Sequence, residues 1–294
     1  YYSDFGSAGQ LAKSYREGFV YTGQPSPYRR RRHGVPARRI APRRHVVCLQ
    51  NHDQVGNRKA GERIAALVPF EALKLGAAAY LLSPFTPLIW MGEEYGETAP
   101  FPYFVHHSDE ALIEAVRHGR QEEFAAFGSQ GEIPDPQAAA TFESARLDPA
   151  RAAGSAGSDS GEHRVLFELY RELLRLRREE PALADPSKER IEAGAREAGR
   201  VVWVRRWAGR PLGPAPEAQD GGEALLLLSF GEGEAELALP LPEGTWSKRL
   251  DTADPRWGGP GSPLPDRLEC RAEPGADAEV RLRLAGRSAA LYVR

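Results

Sequence analysis

Two polar clusters in this sequence carry side chains able to do chemistry. The first, Asn51, His52, Asp53 and Gln54 with Arg58, directly follows the apolar run from His45 to Gln50. An Asp beside a His at a strand end suits a site that stabilises developing positive charge on a polar substrate. The same residues have a structural use, because Asp53 or Asn51 can cap the next helix. The second cluster follows the run from Thr86 to Gly92. It holds Glu93, Glu94 and Tyr95, then Phe101, Tyr103 and Phe104, then His106, His107 and Asp109. Aromatic faces pack on pyranose C–H surfaces and carboxylates accept hydroxyl hydrogens, so this mixture fits sugar recognition. For each single aromatic, packing onto the rim of the fold is the competing use. His106 and His107 have no third ligand at a fitting spacing, so no metal is expected.

The elements that must position these clusters follow from periodicity. His45 to Gln50 and Thr86 to Gly92 are short apolar runs of the kind buried in parallel sheets. Each ends in a polar loop, and a helix follows: Gly61 to Leu82, with a break near Pro69, and Asp109 to Phe127. Strand, polar loop, helix, twice over, is the signature of parallel α/β architecture. In such sheets and barrels reactive groups sit in the loops after the C-terminal ends of strands. Asp4 to Val20 reads as an earlier helix, and residues 22–42 as a long Pro-, Gly- and Arg-rich loop. The Arg29 to Arg32 run has no interleaved aromatic platform, so nucleic-acid binding is not expected of it.

Gly128 to Gly161 has linker composition, and His163 to Arg178 is strongly amphipathic. After Pro186 the pattern changes to short strands between Gly and Pro turns, as in an antiparallel all-β domain. Trp203 and Trp207 are expected inside strands. Trp246 and Trp257 sit in Gly- and Pro-rich turns, where exposure would let them form a glycan platform. The domain expectation is 1–149 for the α/β part, 150–162 for a linker, 163–187 for a connecting helix and 188–294 for a β-sandwich.

The whole chain has 294 residues, 41% hydrophobic and 27% charged, with a net charge of −2. That is ample material for a core, and it argues against a disordered chain. A near-zero charge gives no global pull toward nucleic acid or an anionic membrane. No apolar run is long enough to span a bilayer. Cys48 and Cys270 stand far apart with no metal-ligand spacing, which fits two reduced thiols in a cytoplasmic protein.

The segment CLQNHDQVGNR resembles the stretch after the seventh barrel strand in the α-amylase superfamily, glycoside hydrolase family 13. YYSDFGS, LAKSYREGFVY, SPYRRRRHG, PLIWMGEEYGE, PFPYF and RQEEFAAFG narrow the resemblance to the superfamily's trehalohydrolases. The resemblance covers residues 1–149 and implies the C-terminal part of a (β/α)8 barrel, about its last two strands, followed by the β domain. It implies a retaining hydrolase that cuts the α-1,4 bond next to the trehalose end of maltooligosyl trehalose, with no cofactor. Of the family's three catalytic carboxylates only the transition-state stabiliser maps here, onto Asp53, with the sugar-binding His at His52. Gln54, Trp90, Glu94, Tyr95, Tyr103 and Phe104 are implied as weaker substrate contacts. The nucleophile and the acid/base carboxylate have no counterpart. The expected partner is therefore the N-terminal part of the same enzyme, and the chain alone is expected to be inactive. A related glucan-branching or amylolytic enzyme, and a glucan-binding fragment without catalysis, are the other readings.

Overall fold

The computed structural model describes residues 2–126, 133–154, 161–209, 222–271 and 278–294. These residues pack as two compact units, neither continuous in sequence. One comprises Tyr1–Val47, Lys74–Leu88 and Leu169–Arg294; the other comprises Cys48–Leu73 and Ile89–Glu168.

In the first unit, helix α1 spans Ala8–Glu17 and starts at Ser7, whose hydroxyl accepts from the Gln10 amide while the Gln10 side chain reaches back, closing a capping box. Ala8, Ala12 and Tyr15 form its buried stripe. The region expected as a loop contains a hairpin, β1 (Thr22–Ser26) with β2 (Arg31–Gly34). Asp4 holds its turn by accepting from the Ser26 hydroxyl and the Tyr28 amide. The strand β3 is Val46–Val47, and helix α2 (His52–Gly56) follows it in the chain. Helix α3 spans Phe70–Leu81, and β4 is Thr86–Pro87.

β3 and β4 pair in parallel, bearing out the α/β class. The ladder is much shorter than the two apolar runs. Pro87 offers no amide, and among the described residues no third strand joins the pair. Val46 is accordingly 64% exposed and Leu88 39%, so the expectation of strands buried on both faces is corrected here.

Three cationic side chains hold this unit by donating to backbone carbonyls. Arg177 donates to the carbonyls of Leu81, Ser83 and Phe85, and Arg206 to those of Leu82, Leu183 and Asp185. Between them they pair the carbonyls of Leu81 and Leu82 at the end of α3. Burial pushes the Arg206 guanidinium down to about 10. Lys74 donates to the carbonyls of Thr252 and Trp257.

In the second unit, helices α4 (Glu110–Ala126) and α5 (Ala139–Ser144) are followed by a 3-10 turn at Pro149–Ala153. The stretch read as a linker is thus partly ordered. Arg117 grips Asp135 through two bonds of 3.0 and 2.7 Å, and the Asp148 amide is held by Glu97. Residues 155–160 of the expected linker lie outside the described residues. Helix α6 spans Glu162–Glu179, as its period predicts, and α7 is Pro181–Ala184.

The β region has a six-stranded antiparallel sheet and a two-stranded one, bearing out the sandwich reading. The large sheet holds β5 (Ile191–Arg196), β6 (Val201–Trp207), β7 (Glu223–Ser229), β9 (Gly244–Asp251), β10 (Arg267–Cys270) and β12 (Ser288–Val293). The small one pairs β8 (Ala235–Leu241) with β11 (Ala278–Leu284). Strict alternation in β8 places Leu237, Leu239 and Leu241 in one core with Leu225, Leu227, Leu284, Ala290 and Tyr292. Trp246 belongs to that core and is fully buried, and Trp257 is 5% exposed. The glycan platform expected from these two is corrected: Trp246 lies within β9 rather than in a turn, and its ring fills the core. Trp203 and Trp207 are half-buried on β6.

Candidate active site

All eight site residues expected from the sequence lie in the unit made of Cys48–Leu73 and Ile89–Glu168. The first loop turns on Asn51, whose side chain accepts from the Gln54 amide at 3.0 Å and caps α2. The capping role thus belongs to Asn51 and leaves Asp53 uncommitted. Val55 is the buried pivot of this turn, and it swings His52, Asp53 and Gln54 outward. The His52 and Asp53 side chains are 72% and 76% exposed, and His52 Nε2 lies 3.3 Å from Asp53 Oδ1. Both are free to engage the hydroxyls of a polyol, and the pair can share one sugar between an anion and a ring nitrogen.

The second loop is bent between Gly92 and Gly96, with φ of 84° and 72°, angles that disfavour a side chain. Between them Glu93 is buried and Glu94 half-buried. One carboxylate oxygen of Glu94 is buried and accepts no hydrogen bond among the described residues. Tyr95 and Trp90 face inward. The Tyr95 hydroxyl donates to Glu97 at 3.1 Å, and Trp90 meets Phe101 edge-on with ring centres 5.1 Å apart. Tyr103 and Phe104, at 41% and 36% exposure, are the two that present faces to solvent. Arg120 lies 5.0 Å over the Tyr103 ring, and Phe142 supports Phe104 edge-on.

Two buried charges that no sequence pattern singles out build this loop. Arg63 is fully buried, donates to the carbonyls of Ala99 (2.6 Å) and Met91 (2.8 Å), and sits 4.2 Å over Trp90. Its neighbour Ile64 donates its amide to the buried side chain of Gln50, and Gly61 accepts from the Phe101 amide. The first loop is thereby tied to the second. Glu97 is 1% exposed and accepts from the amides of Thr98, Ala99 and Asp148 as well as from Tyr95. Burial alone would raise its carboxyl; these four donors outweigh it and hold it below the usual carboxylate range. Burial, then the Glu97 charge, pushes the Tyr95 hydroxyl upward, so it stays a donor.

Among the described residues no group of three or more His, Cys, Asp or Glu side chains is arranged to hold a metal ion. Cys48 and Cys270 are free thiols. No described helix is long and apolar enough to cross a membrane.

No family model matches the sequence. Over 217 residues the chain is 42% identical to the malto-oligosyltrehalose trehalohydrolase of Rhizobium sp. (strain M-11), covering 71% of this chain and 34% of that protein. Over 147 residues it is 49% identical to the one from Saccharolobus solfataricus, covering 50% of this chain and 25% of that protein. The chain therefore spans about a third of the length of these relatives, or less. A crystal structure of a Salmonella typhimurium protein assigned as an α-amylase superposes with a TM-score of 0.74 at 30% identity, over 100% of this chain and 43% of that one. That match bears out the fold class inferred from the sequence. On an α-amylase-like fold, the chain is similar to a portion of malto-oligosyltrehalose trehalohydrolase, consistent with the C-terminal part of that enzyme.

Proposed function

We propose that this chain is part of a retaining glycoside hydrolase that cleaves the α-1,4 bond next to the trehalose end of maltooligosyl trehalose and releases trehalose. The observation that carries the proposal is the sequence identity of 42% and 49% to the named trehalohydrolases. The exposed His52–Asp53 pair supports it, because both side chains are open to a polyol. In this reading Asp53 stabilises the oxocarbenium-like transition state and His52 binds a hydroxyl of the cleaved sugar. Gln54, Tyr103 and Phe104 are the contacts that exposure favours. Trp90, Glu94 and Tyr95 take part through the shape of the second loop.

Retaining hydrolysis needs a nucleophile and a proton donor about 5 Å apart across the bond. No residue here matches either family segment, so the chain by itself is proposed to be inactive and to act with the N-terminal part of the enzyme. The substrate class is α-1,4-glucan, with no cofactor, nucleic acid or membrane as partner, in the cytoplasm. We keep as a proposal the division into a partial barrel (1–149), a linker (150–162), a connecting helix (163–187) and a β-sandwich (188–294).

The test is an assay for free trehalose from maltooligosyl trehalose, with the chain alone and within a full-length trehalohydrolase. Trehalose release only in the full-length context is expected. Release of maltose or branched glucan without trehalose would assign the chain to an amylolytic or branching relative instead.

A further inference from the structure

A buried contact between a lysine and a histidine side chain lies in the unit that contains α1 and the β region. Lys188 Nζ is 2.7 Å from His45 Nε2, and it also donates to the carbonyls of Ala37 (3.0 Å) and Glu17 (3.2 Å). His45 and Lys188 are each 5% exposed. An ammonium has donors only, so Nε2 must be the acceptor, and the imidazole is neutral with its proton on Nδ1. A backbone hydrogen bond at Ile40 engages the ring as well. Phe19 and Phe85 flank it, with ring centres 5.1 and 5.3 Å away. A Cβ at Gly18 would stand 2.5 Å from Cε1, so the ring has no room to swing toward α1.

Among the described residues no carboxylate is paired with His45 or Lys188, and Asp185, three positions before Lys188, is held by Arg190 at 2.7 Å. From α1 the nearest carboxylate is Glu17, and it faces Lys13 at 3.9 Å while giving Lys188 only its carbonyl. From the hairpin comes His33, and from the segment before β3 comes Arg44; both line the same groove as His45. From β4 and the residue before it come only Thr86 and Phe85, which carry no charge. That groove, about 700 Å³ and lined also by Phe19, Val35, Ile40 and Val46, gives solvent protons a route to the ring.

We propose that the His45–Lys188 pair is a pH-sensitive latch. At neutral pH, Lys188 ties together the end of α1, the turn at residues 37–40 and β3. A proton on Nε2 removes the acceptor and places two like charges 2.7 Å apart, with no carboxylate paired to either among the described residues. The ties then part, and β3, which precedes the His52–Asp53 turn in the chain, is released. Burial first, then the Lys188 charge, holds the His45 ring below its usual value. The sign follows: above the ordinary His value of about 6.5 neither state takes up the proton, and below it the unfolded chain does so first. Stability is therefore fully present above that pH and is lost as pH falls through the window below it.

Urea unfolding of the full chain at pH 7.5 and 5.5, followed by far-UV circular dichroism, tests the latch. One proton of difference corresponds to up to about a tenfold loss in the folding constant per pH unit. His45→Gln keeps an acceptor for Lys188 and cannot titrate; Lys188→Met keeps the ring and removes the repulsion. Both variants are expected to show a flatter pH dependence than the unsubstituted chain. Variants that track it would overturn the proposal. The imidazole resonances of His45 in the unsubstituted chain give a second measurement that needs no variant to fold. A midpoint below the ordinary imidazole value is expected, and a midpoint at or above about 6.5 would overturn the latch.

Discussion

The guanidinium of Arg63 lies 4.2 Å over the centre of the Trp90 ring, and the same group donates to the backbone carbonyls on both sides of the Gly92–Glu97 turn. A charge with no exposed surface is here solvated by carbonyl oxygens and an aromatic face instead of by a carboxylate in direct contact. The loop conformation therefore depends on it. Arg63→Met takes the donor from the part-buried Met91 and Ala99 carbonyls and is expected to cost about 1–3 kcal/mol in urea unfolding. Arg63→Lys recovers only part of this, because a single ammonium cannot span both carbonyls in the guanidinium's geometry. A loss below about 0.5 kcal/mol for Arg63→Met would show that the loop holds itself.

Glu97 gives the second unit a pH dependence of the opposite origin to that of His45. Its four donors hold the carboxyl below the ordinary value of about 4.3. A group depressed in the folded state contributes stability that is full above its unfolded value and lost as pH falls through its folded value. Glu97→Gln is expected to lower stability at pH 7 by about 1.5–3 kcal/mol, the range for bonds to a charged acceptor. It is also expected to flatten the acid limb below pH 4.5. An unchanged acid limb, measured by fluorescence-detected unfolding, would place that dependence on other carboxylates.

Asn51 and Asp53 are separable by substitution. Asn51→Ala removes the cap of α2 and is expected to cost about 1 kcal/mol. Asp53→Asn touches no cap and is expected to leave the urea midpoint unchanged. Within a trehalose-releasing full-length enzyme, Asp53→Asn is expected to lower kcat by on the order of 10²–10³, with a far smaller change in KM. An enzyme that keeps most of its kcat would remove Asp53 from the mechanism.

Trp246 fills the core between the two sheets of the β region. Trp246→Ala is expected to cost about 3–5 kcal/mol, as large-to-small substitutions of buried aromatics do. Thermal unfolding measures it. A stable variant with weakened maltooligosaccharide binding would instead mean that the ring reaches a glycan.

Elements with a strong local apolar period are legible in the chain alone. The stripe of Leu166, Leu169, Leu173 and Leu176 makes α6 a helix with one buried face, and the alternation of β8 or the apolar run of β7 makes each a strand. The polar turn around His52 and Asp53 was legible as well, because it interrupts an apolar run abruptly. The hairpin from Thr22 to Gly34 was not, since Pro, Gly and Arg carry no strand period and its turn is set by Asp4, far back in the chain.

Which charges are buried follows from packing between segments distant in the chain. Lys188 and His45 are 143 positions apart, and Arg63 reaches carbonyls 28 and 36 positions away. Periodicity reports which face of an element is apolar; it holds no information about which distant carbonyl will solvate a cation. The same limit misplaced Trp246 and Trp257, whose Gly- and Pro-rich surroundings describe the chain's path but not what later packs over the rings. It also left Asp53 undecided between a cap and a functional carboxylate, until the bond from the Gln54 amide to Asn51 assigned the cap and left Asp53 facing solvent.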